Sequence, residues 1–231
     1  ELAVLDLQTG AVEVLGKCKR MLFADEQAVV VYLRDSDKKD DKAVEGEAKA
    51  EGESKPGGDK KAARDPLAKK RKDGARLLVR DLARGNERGI DDVVEFGLMP
   101  KATWLWYSTS SKAPVKDATY GLFATRLDGS ASHTLVAGFA DFGGFVADRR
   151  GTALAFTCNR DDFAAEKPRR DLWLWRGEGE AQCIVHPGAA GVGDGLVAGD
   201  GVQFTRDGGA LLVSLVLAET ELPSMLADEK V

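Results

Sequence analysis

The sequence predicts an all-β protein assembled from a repeated antiparallel unit. Two observations support this prediction: apolar and polar residues alternate in short runs along the 231-residue chain, and turns that carry glycine separate the runs. Alternation with a period of two residues indicates a half-buried strand, and Thr-Gly or Asp-Gly between two such runs predicts a tight hairpin. A regular spacing between similar hairpins then predicts how the strands are grouped.

One type of hairpin occurs four times, as an alternating strand, a turn with glycine and a second short strand. Its copies are LAVLDLQTGAVEVL from Leu2, LLVRDLARGNERGI from Leu77, LFATRLDGSASHTL from Leu122 and LWLWRGEGEAQCIV from Leu172. A second type lies between these copies and has a Phe at the end of one strand, a short polar turn and a strongly apolar strand. The copies of the second type start at Phe23, Phe96, Phe145 and Phe204.

The two types alternate, which gives a unit of four strands. Leu77 and Leu122 are 45 residues apart, and Leu122 and Leu172 are 50 apart. A unit of four strands that repeats roughly every 40–50 residues is typical of a β-propeller blade. Two strands, three blades of four and two further strands make about four blades. We expect an arc of a larger propeller, because both ends of the chain look like cuts through a blade. The alternative is a four-bladed ring closed by the two terminal half-blades.

A charged segment, residues 35–74, interrupts the first blade between its second and third strands. From Asp35 to Asp73 it holds 11 acidic and 12 basic residues in 39 positions. Such a segment cannot bury enough apolar surface to offset the entropy that ordering removes. We therefore expect a disordered insertion within one blade of a single β-propeller domain or fragment, residues 1–231. Its basic run KKRK, residues 69–72, is expected to be a solvated charge run.

The connections at the same place in the next two blades are also long and polar. They are residues 108–121 and 159–171. Equivalent connections of successive blades emerge on the same face of the disc, so all three segments should crowd one face. The short turns that follow the Phe residues should lie on the opposite face.

Composition limits the classes of function. A net charge of -5 argues against a nucleic-acid binder that works by charge alone. The cysteines Cys18, Cys158 and Cys183 form no Cys-x-x-Cys pair, which argues against a structural zinc site. We expect Cys158 and Cys183 to be buried thiols, while their disulfide state stays open. No apolar run reaches the roughly 18 residues of a membrane span.

The sequence assigns no catalytic, cofactor-binding or metal-binding residue, and it leaves ligand-binding residues open. A serine hydrolase of the α/β type needs a Gly-x-Ser-x-Gly turn, which this sequence does not contain. Both histidines, His133 and His186, lie beside turns. A catalytic role for either would need a nearby nucleophile and an orienting acid, and nothing in the sequence places them there, so we expect surface or blade-edge positions.

Two further patterns suggest ligand sites but have simpler explanations. Within the Gly-rich stretch 188–201, Gly193, Gly195 and Ala198 fit G-x-G-x-x-A, but a dinucleotide site needs a following helix, and a strand-like run follows here. We expect a flexible connection between blades. Asp161 and Asp162 could anchor the amino terminus of a peptide, but a solvated turn is the simpler expectation.

Four tryptophans occur as two pairs with a spacing of two residues. They are Trp104 with Trp106, and Trp173 with Trp175. Aromatic residues in strands usually belong to the core, so one member of each pair should pack between blades. Ligand stacking is the minor alternative.

Several motifs resemble known propellers. FVADRRGTALAFTCNRDD and VQFTRDGGALLVSLV resemble the F-S-P-D-G-x-x-L-A-F blades of periplasmic TolB-type and peptidase propellers. The charged insertion before LLVRDLARG, the run LAFTCNRDDFAAEKPRRDLWLW and the approach GVGDGLVAGDGVQFTRDGGALLV narrow this resemblance. They are similar to the propeller domain of bacterial prolyl oligopeptidase family serine peptidases. The Pro-Asp-Gly turn is incomplete in every blade, for example Met99-Pro100-Lys101.

The resemblance implies a function that the residues alone do not. In that family a propeller precedes an α/β-hydrolase domain with a Ser-Asp-His triad and limits access to short or unfolded peptides. This chain would then be the non-catalytic region that gates and selects peptide substrates, with that hydrolase domain as its partner. Relatives of this type are commonly exported, which favours a periplasmic or secreted location, although the residues leave the compartment open.

Two alternatives remain. A TolB-like propeller could serve as a protein-binding platform with no enzyme attached. A propeller enzyme with its site in the central channel fits less well, because no inward cluster of histidines or carboxylates repeats from blade to blade.

Overall fold

The computed structural model describes residues 1–24, 27–35, 67–115 and 118–218. Most of the charged insertion, residues 36–66, lies outside the described residues. The prediction that this insertion is disordered therefore also falls outside them. The described helical segments are single 3₁₀ turns at Ala68–Lys70, Pro100–Ala102 and Arg160–Asp162. Within the described ranges, no helix is long and apolar enough to cross a bilayer.

Fifteen strands account for the remaining regular structure of the described residues. They are β1 (Leu2–Leu5), β2 (Val12–Gly16), β3 (Cys18–Ala24), β4 (Val29–Arg34), β5 (Ala75–Asp81), β6 (Glu87–Leu98), β7 (Leu105–Thr109), β8 (Gly121–Thr125), β9 (Ser132–Ala137), β10 (Phe142–Ala147), β11 (Leu154–Cys158), β12 (Asp171–Trp175), β13 (Gln182–Val185), β14 (Leu196–Phe204) and β15 (Leu211–Leu217).

The strands form an all-β propeller arc. The first blade comprises β3, β4, β5 and the start of β6; the second comprises the end of β6, β7, β8 and β9; the third comprises β10 to β13. Every neighbouring pair is antiparallel. The two-stranded sheets β1–β2 and β14–β15 are terminal half-blades, and they are separate from each other. The structure therefore agrees with the arc and not with the closed four-bladed ring.

One long strand replaces two expected ones. The fourth strand of the first blade and the first strand of the second are continuous as β6, which pairs with β5 up to Val93 and with β7 from Val93 onwards. Asp92 has a φ of 57° at this transition. The first and second blades consequently belong to one seven-stranded sheet, although the order of the strands is the expected one.

Two of the four repeated hairpin turns have the same hydrogen bonds. In the N-terminal half-blade, the carboxylate of Asp6 accepts the N–H of Thr9 at 3.0 Å, and Gly10 closes the turn with a φ of 72°. In the first blade, Asp81 accepts the N–H of Arg84 at 3.0 Å, and Gly85 has a φ of 70°. Glycine adopts this left-handed conformation without steric strain, so the motif Asp-Leu-x-x-Gly defines the same turn twice.

Buried side chains fill the spaces between blades. One cluster lies between the first and second blades and includes Val31, Leu77 and Phe96. A larger cluster lies between the second and third blades and includes Phe156 and Trp175. The first strands of neighbouring blades contact each other, β3 with β6 and β10 with β14, as expected near a propeller axis.

The arc has two faces with different connections. The turns between first and second strands and between third and fourth strands lie on one face, which we call the turn face. The connections between second and third strands and the links between blades lie on the other, which we call the loop face. The long polar connections therefore share a face, as antiparallel blades require.

Candidate functional site: the loop face

The end of the charged insertion crosses the loop face. Residues 67–74, which we call the strap, lead into β5 of the first blade and contact the second and third blades. Near its end, Gly74 donates its N–H to the carbonyl of Ser110 at 3.0 Å, and the carboxylate of Asp73 accepts the N–H of Lys112 at 2.9 Å. The C-terminal end of the strap thus lies against the second blade, directly before β5 begins.

Lys70 fixes the far end of the strap to the third blade. Its ammonium group donates to the carbonyl oxygens of Phe163, at 3.3 Å, and Ala164, at 3.1 Å. It also donates to the carbonyl of Ala165. These three carbonyls follow the 3₁₀ turn Arg160–Asp162 in the connection between β11 and β12. An ammonium has three donors and no acceptor, so three carbonyls satisfy it without a counter-charge.

Arg71 is buried at the centre of the strap. Only 8% of its surface is exposed, and its guanidinium carbon lies 4.0 Å from the centroid of the Phe139 ring. Phe139 stacks in turn on Tyr120, with centroids 4.8 Å apart. The Tyr120 hydroxyl donates to the Asp92 carboxylate at 3.2 Å, which places this stack on the β6 transition. A planar cation over an aromatic face is favourable, and more so when water is excluded.

Lys72 forms the third contact. Its ammonium lies 2.8 Å from the Asp141 carboxylate, which is 28% exposed. Asn159 holds the backbone at this position, because its side-chain oxygen accepts the N–H of Asp141 at 2.7 Å. Asp141 therefore lies in the link between the second and third blades, and Asn159 of the third blade fixes the position of this link.

These contacts differ from the solvated run expected of residues 69–72. Lys72 is exposed, but Arg71 is buried and Lys70 is bound by carbonyls. Sequence reasoning missed this site because its partners are a ring, a carboxylate and backbone oxygens about 70 to 95 residues away. The only local signal is the basic run itself, since backbone carbonyls have no sequence signature.

The two histidines occupy unrelated positions. The His133 ring lies on β9 with its centroid 5.2 Å from that of Trp104 and 5.9 Å from that of Trp175. Nδ1 of His186, which is exposed, lies 3.0 Å from the carbonyl oxygen of Pro187. His133 thus packs at a blade edge and His186 lies on the surface, as expected. In the described ranges, no group of three His, Cys, Asp or Glu side chains could hold a metal ion.

The Gly-rich stretch 188–201 and the acidic pair Asp161–Asp162 both contribute to regular parts of the fold. Leu196–Phe204 is strand β14, so the segment that includes Ala198 pairs with β15 instead of leading into a helix. This corrects the expectation of a flexible connection for residues 196–201. Asp161 accepts from Nε of Arg160 at 2.8 Å, and Asp162 accepts the N–H of Arg169 at 2.8 Å. Asp162 therefore joins the two ends of the β11–β12 connection, whereas Asp161 pairs with its neighbour Arg160.

All four tryptophans are buried between the second and third blades, where one of each pair was expected. Residues two apart on a strand point to the same side, so Trp173 and Trp175 both face the second blade. Trp104 meets Trp175 edge to face, with centroids 5.1 Å apart. Trp106 stacks on Phe145 at 3.8 Å.

Cys158 and Cys183 are free thiols. They lie on β11 and β13, which flank β12, and strands two apart in a sheet are separated by about 9–10 Å, too far for a disulfide. Burial raises the pKa of Cys158 to about 12 and that of Cys183 to about 11. The first is buried as expected, and the second is half-buried.

A cleft of about 320 Å³ lies on the turn face between the first and second blades. Several of its charged groups already have partners within the fold. Asp81 accepts two backbone N–H groups of its own turn, Glu87 accepts from the Tyr32 hydroxyl at 2.7 Å, and Arg88 donates to the Arg126 carbonyl at 2.7 Å. These side chains therefore stabilise the junction of the two blades.

The comparisons with known proteins find similarity at the level of structure. No protein-family profile matches the chain, and no curated protein matches it. Among solved structures, the chain is similar to the acylaminoacyl peptidase of Pyrococcus horikoshii, at 10% sequence identity and a TM-score of 0.41. The match covers 80% of this chain and 28% of that chain.

Proposed function

We propose that this chain is the non-catalytic β-propeller region of a prolyl oligopeptidase family serine peptidase, in which it gates and selects peptide substrates. Two observations support the proposal independently. The blade motifs of the sequence resemble those of such propellers, and the described strands form a propeller arc. The catalytic group would come from a separate α/β-hydrolase domain of the parent protein.

The observation that carries the peptide-binding part of the proposal is the strap on the loop face. A segment of eight residues lies across two blades there, with a backbone N–H, a buried arginine and two lysine ammonium groups all in specific contacts. A face that holds one segment of chain in this way has the size and the polar groups that a peptide needs. Gating and selection are the roles that such a face would perform beside a peptidase site.

The first experiment examines the parent protein. We expect a Gly-x-Ser-x-Gly turn roughly 250–400 residues after Val231, followed by an Asp and then a His. A fluorophosphonate probe should label the parent but not this chain alone. The matched control is the parent with the serine of that turn changed to alanine, which should not be labelled. A parent without the turn, or labelling of the isolated chain, would contradict the proposal.

The gating role needs a separate measurement. In the parent, kcat/KM should be compared for a short peptide and for the same peptide within a folded protein. Deletion of the propeller should raise the relative rate for the folded protein. If deletion changes both rates equally, the propeller supports the enzyme without selecting its substrates.

One observation favours a second candidate, a protein-binding platform. Apolar side chains are exposed on both half-blades, among them Leu5 at 54%, Val12 at 64%, Leu212 at 60% and Leu217 at 76%. Exposed apolar surface of this kind is typical of an interface, which either a partner protein or further propeller blades would cover. A parent that has these half-blades but lacks the Gly-x-Ser-x-Gly turn would favour the platform.

A further inference from the structure

The three central residues of the strap occupy three chemically different contacts. Lys70 lies against carbonyl oxygens, Arg71 lies on an aromatic ring, and Lys72 lies against a carboxylate. We propose that the loop face carries a receptor site for a basic peptide segment, and that Lys70, Arg71 and Lys72 occupy it within the chain. The site would bind a Lys-Arg-Lys segment of another peptide when the strap leaves it.

The first contact selects an ammonium group. The carbonyls of Phe163, Ala164 and Ala165 converge on one nitrogen, and a carbonyl can only accept hydrogen bonds. A neutral apolar side chain would leave these oxygens without a donor, and a carboxylate would be repelled. A primary amine on a flexible stem satisfies all three at once.

The second contact selects a planar cation. Arg71 lies 4.0 Å from the centroid of Phe139, whose other neighbour is Tyr120 at 4.8 Å. A guanidinium matches the flat ring face, whereas a lysine ammonium presents a compact and strongly hydrated charge. The ring also stacks on Tyr120, so it has a partner within the fold besides the strap.

The third contact selects a positive charge at an exposed edge. Asp141 pairs with Lys72 at 2.8 Å, and the Asn159 side chain fixes its backbone. The three contacts therefore accept an ammonium, a guanidinium and a positive charge in order along the strap.

The receptor groups belong to other parts of the fold than the strap. Phe139 and Asp141 lie in the link before β10, and residues 163–165 lie in the β11–β12 connection. The strap is therefore a ligand joined to its own receptor, and this raises its effective concentration to the millimolar range or above. A separate peptide should bind poorly until the strap is displaced or its side chains are removed.

This inference rests on the proposed function only in taking the ligand to be a peptide. The binding requires no hydrolase domain, so it is measured on this chain alone. Its failure would leave the labelling of the parent unaffected, and an unlabelled parent would leave the binding result unaffected.

The experiment uses a variant with Lys70, Arg71 and Lys72 all changed to alanine. A fluorescein-labelled peptide with the strap sequence AKKRKDG should bind this variant saturably in fluorescence anisotropy. It should bind the unchanged chain at least tenfold more weakly, because the strap occupies the site. Circular dichroism of both proteins verifies that the variant is folded.

Two controls separate recognition from attraction to an acidic protein. The peptide AKKKKDG has the same charge without the guanidinium and should bind at least fivefold more weakly. In the triple-alanine background, Asp141→Asn and Phe139→Leu should each weaken binding severalfold. Equal affinity for both peptides, equal binding to the unchanged chain and the variant, or no binding at millimolar peptide would each overturn the proposal.

A second measurement tests the proposal even if the triple-alanine variant does not fold. Amide exchange of residues 67–74 is followed in the unchanged chain, with and without a large excess of unlabelled AKKRKDG. Displacement predicts faster exchange of the strap with AKKRKDG than with AKKKKDG. Unchanged exchange with both peptides would contradict the proposal without use of any variant.

Discussion

The Cα of Gly74 packs directly against the backbone carbonyl of Asp92. A Cβ built on Gly74 would lie 2.0 Å from the carbonyl carbon and 2.1 Å from the carbonyl oxygen of Asp92. Asp92 itself has a φ of 57°, at the point where β6 passes from the first blade to the second. The end of the strap and the transition in β6 are therefore in contact through their backbones, where no side chain can move aside.

Gly74→Ala should release the strap. Any side chain at this position overlaps the Asp92 backbone, so either the strap or β6 must move. We expect a loss of about 2 kcal/mol in the free energy of unfolding, comparable to overpacking a core. Amide exchange at residues 67–74 should also become faster. Urea unfolding measures the loss of stability, and hydrogen–deuterium exchange with mass spectrometry measures the exchange rates.

Gly193→Ala is the matched control. The nearest atoms to a Cβ at Gly193 belong to the flexible side chain of Leu196, at 3.3 Å. This substitution should change stability by less than about 0.5 kcal/mol. If Gly74→Ala is as mild as Gly193→Ala, the close approach to Asp92 does not hold the strap.

Trp175 should be the most sensitive position between the second and third blades. It is fully buried, meets Trp104 edge to face with an interplanar angle of 83°, and donates from Nε1 to the Gly179 carbonyl at 3.1 Å. Trp175→Ala should lower the free energy of unfolding by about 3–5 kcal/mol in urea titrations. Val115→Ala, at a residue that is 65% exposed, should have almost no effect. A loss below about 1 kcal/mol for Trp175→Ala would show that the blades do not depend on this cluster.

Local chemistry explains why the strand order was predictable. Alternating runs such as LLVRDL and turns such as Asp-Leu-x-x-Gly determine a hairpin without distant contacts. The same turn geometry at Gly10 and Gly85 is the direct result. The continuity of β6 was missed, because its change of partner at Val93 depends on two different neighbouring strands.

The strap could not be predicted from the sequence, because its contacts are not local. By composition, residues 67–74 belong to a charged segment, and composition indicates a solvated chain. Their burial depends on Phe139, on Asp141 and on three backbone oxygens more than 90 residues away from Lys70. Burial of Arg71 depends on the ring face of Phe139, which the fold and not the neighbouring sequence brings to the strap.

The thiols should be unreactive in the native chain. Burial raises the pKa of Cys158 to about 12 and that of Cys183 to about 11, so almost no thiolate exists at pH 8. Iodoacetamide should therefore modify both at least tenfold more slowly in buffer than in concentrated urea, as measured by peptide mass spectrometry. Native rates equal to those in urea would mean that β11 and β13 open readily.

The carboxylates of Asp148 and Asp171 should affect stability with opposite dependence on pH. Both residues are buried, with 3% and 6% of their surface exposed. Asp148 accepts from the Thr152 N–H at 2.6 Å and from the Ala153 N–H at 2.9 Å. Asp171 has a buried Oδ1 with no hydrogen-bond partner among the described residues, and Nε of Arg169 lies 3.7 Å away. Burial raises the pKa of Asp171, and Arg169 offsets only part of this increase.

Asp171→Asn should stabilise the chain at neutral pH. Because its folded-state pKa is raised, the native chain binds this proton more tightly than the unfolded chain, and stability falls as pH rises from about 4 through the folded-state pKa. At pH 7 the ionised carboxylate is buried without a hydrogen bond at Oδ1, so the amide should be more stable by about 1 kcal/mol. The difference should shrink as the pH falls from 7 toward 4, because protonation of the native carboxyl makes it neutral like the amide. Thermal unfolding from pH 4 to pH 8 measures it.

Asp148→Asn is the matched control with the opposite sign. Burial alone would raise the pKa of Asp148, but hydrogen bonds from Ala153 and Thr152 outweigh it and lower the pKa. Its stabilisation is present above the unfolded-state pKa of about 4 and is lost as pH falls through the lower folded-state value. Asp148→Asn should therefore destabilise the chain at pH 7 and do so less as the pH falls below 4. If both variants shift stability in the same direction at pH 7, hydrogen bonding does not distinguish these two carboxylates.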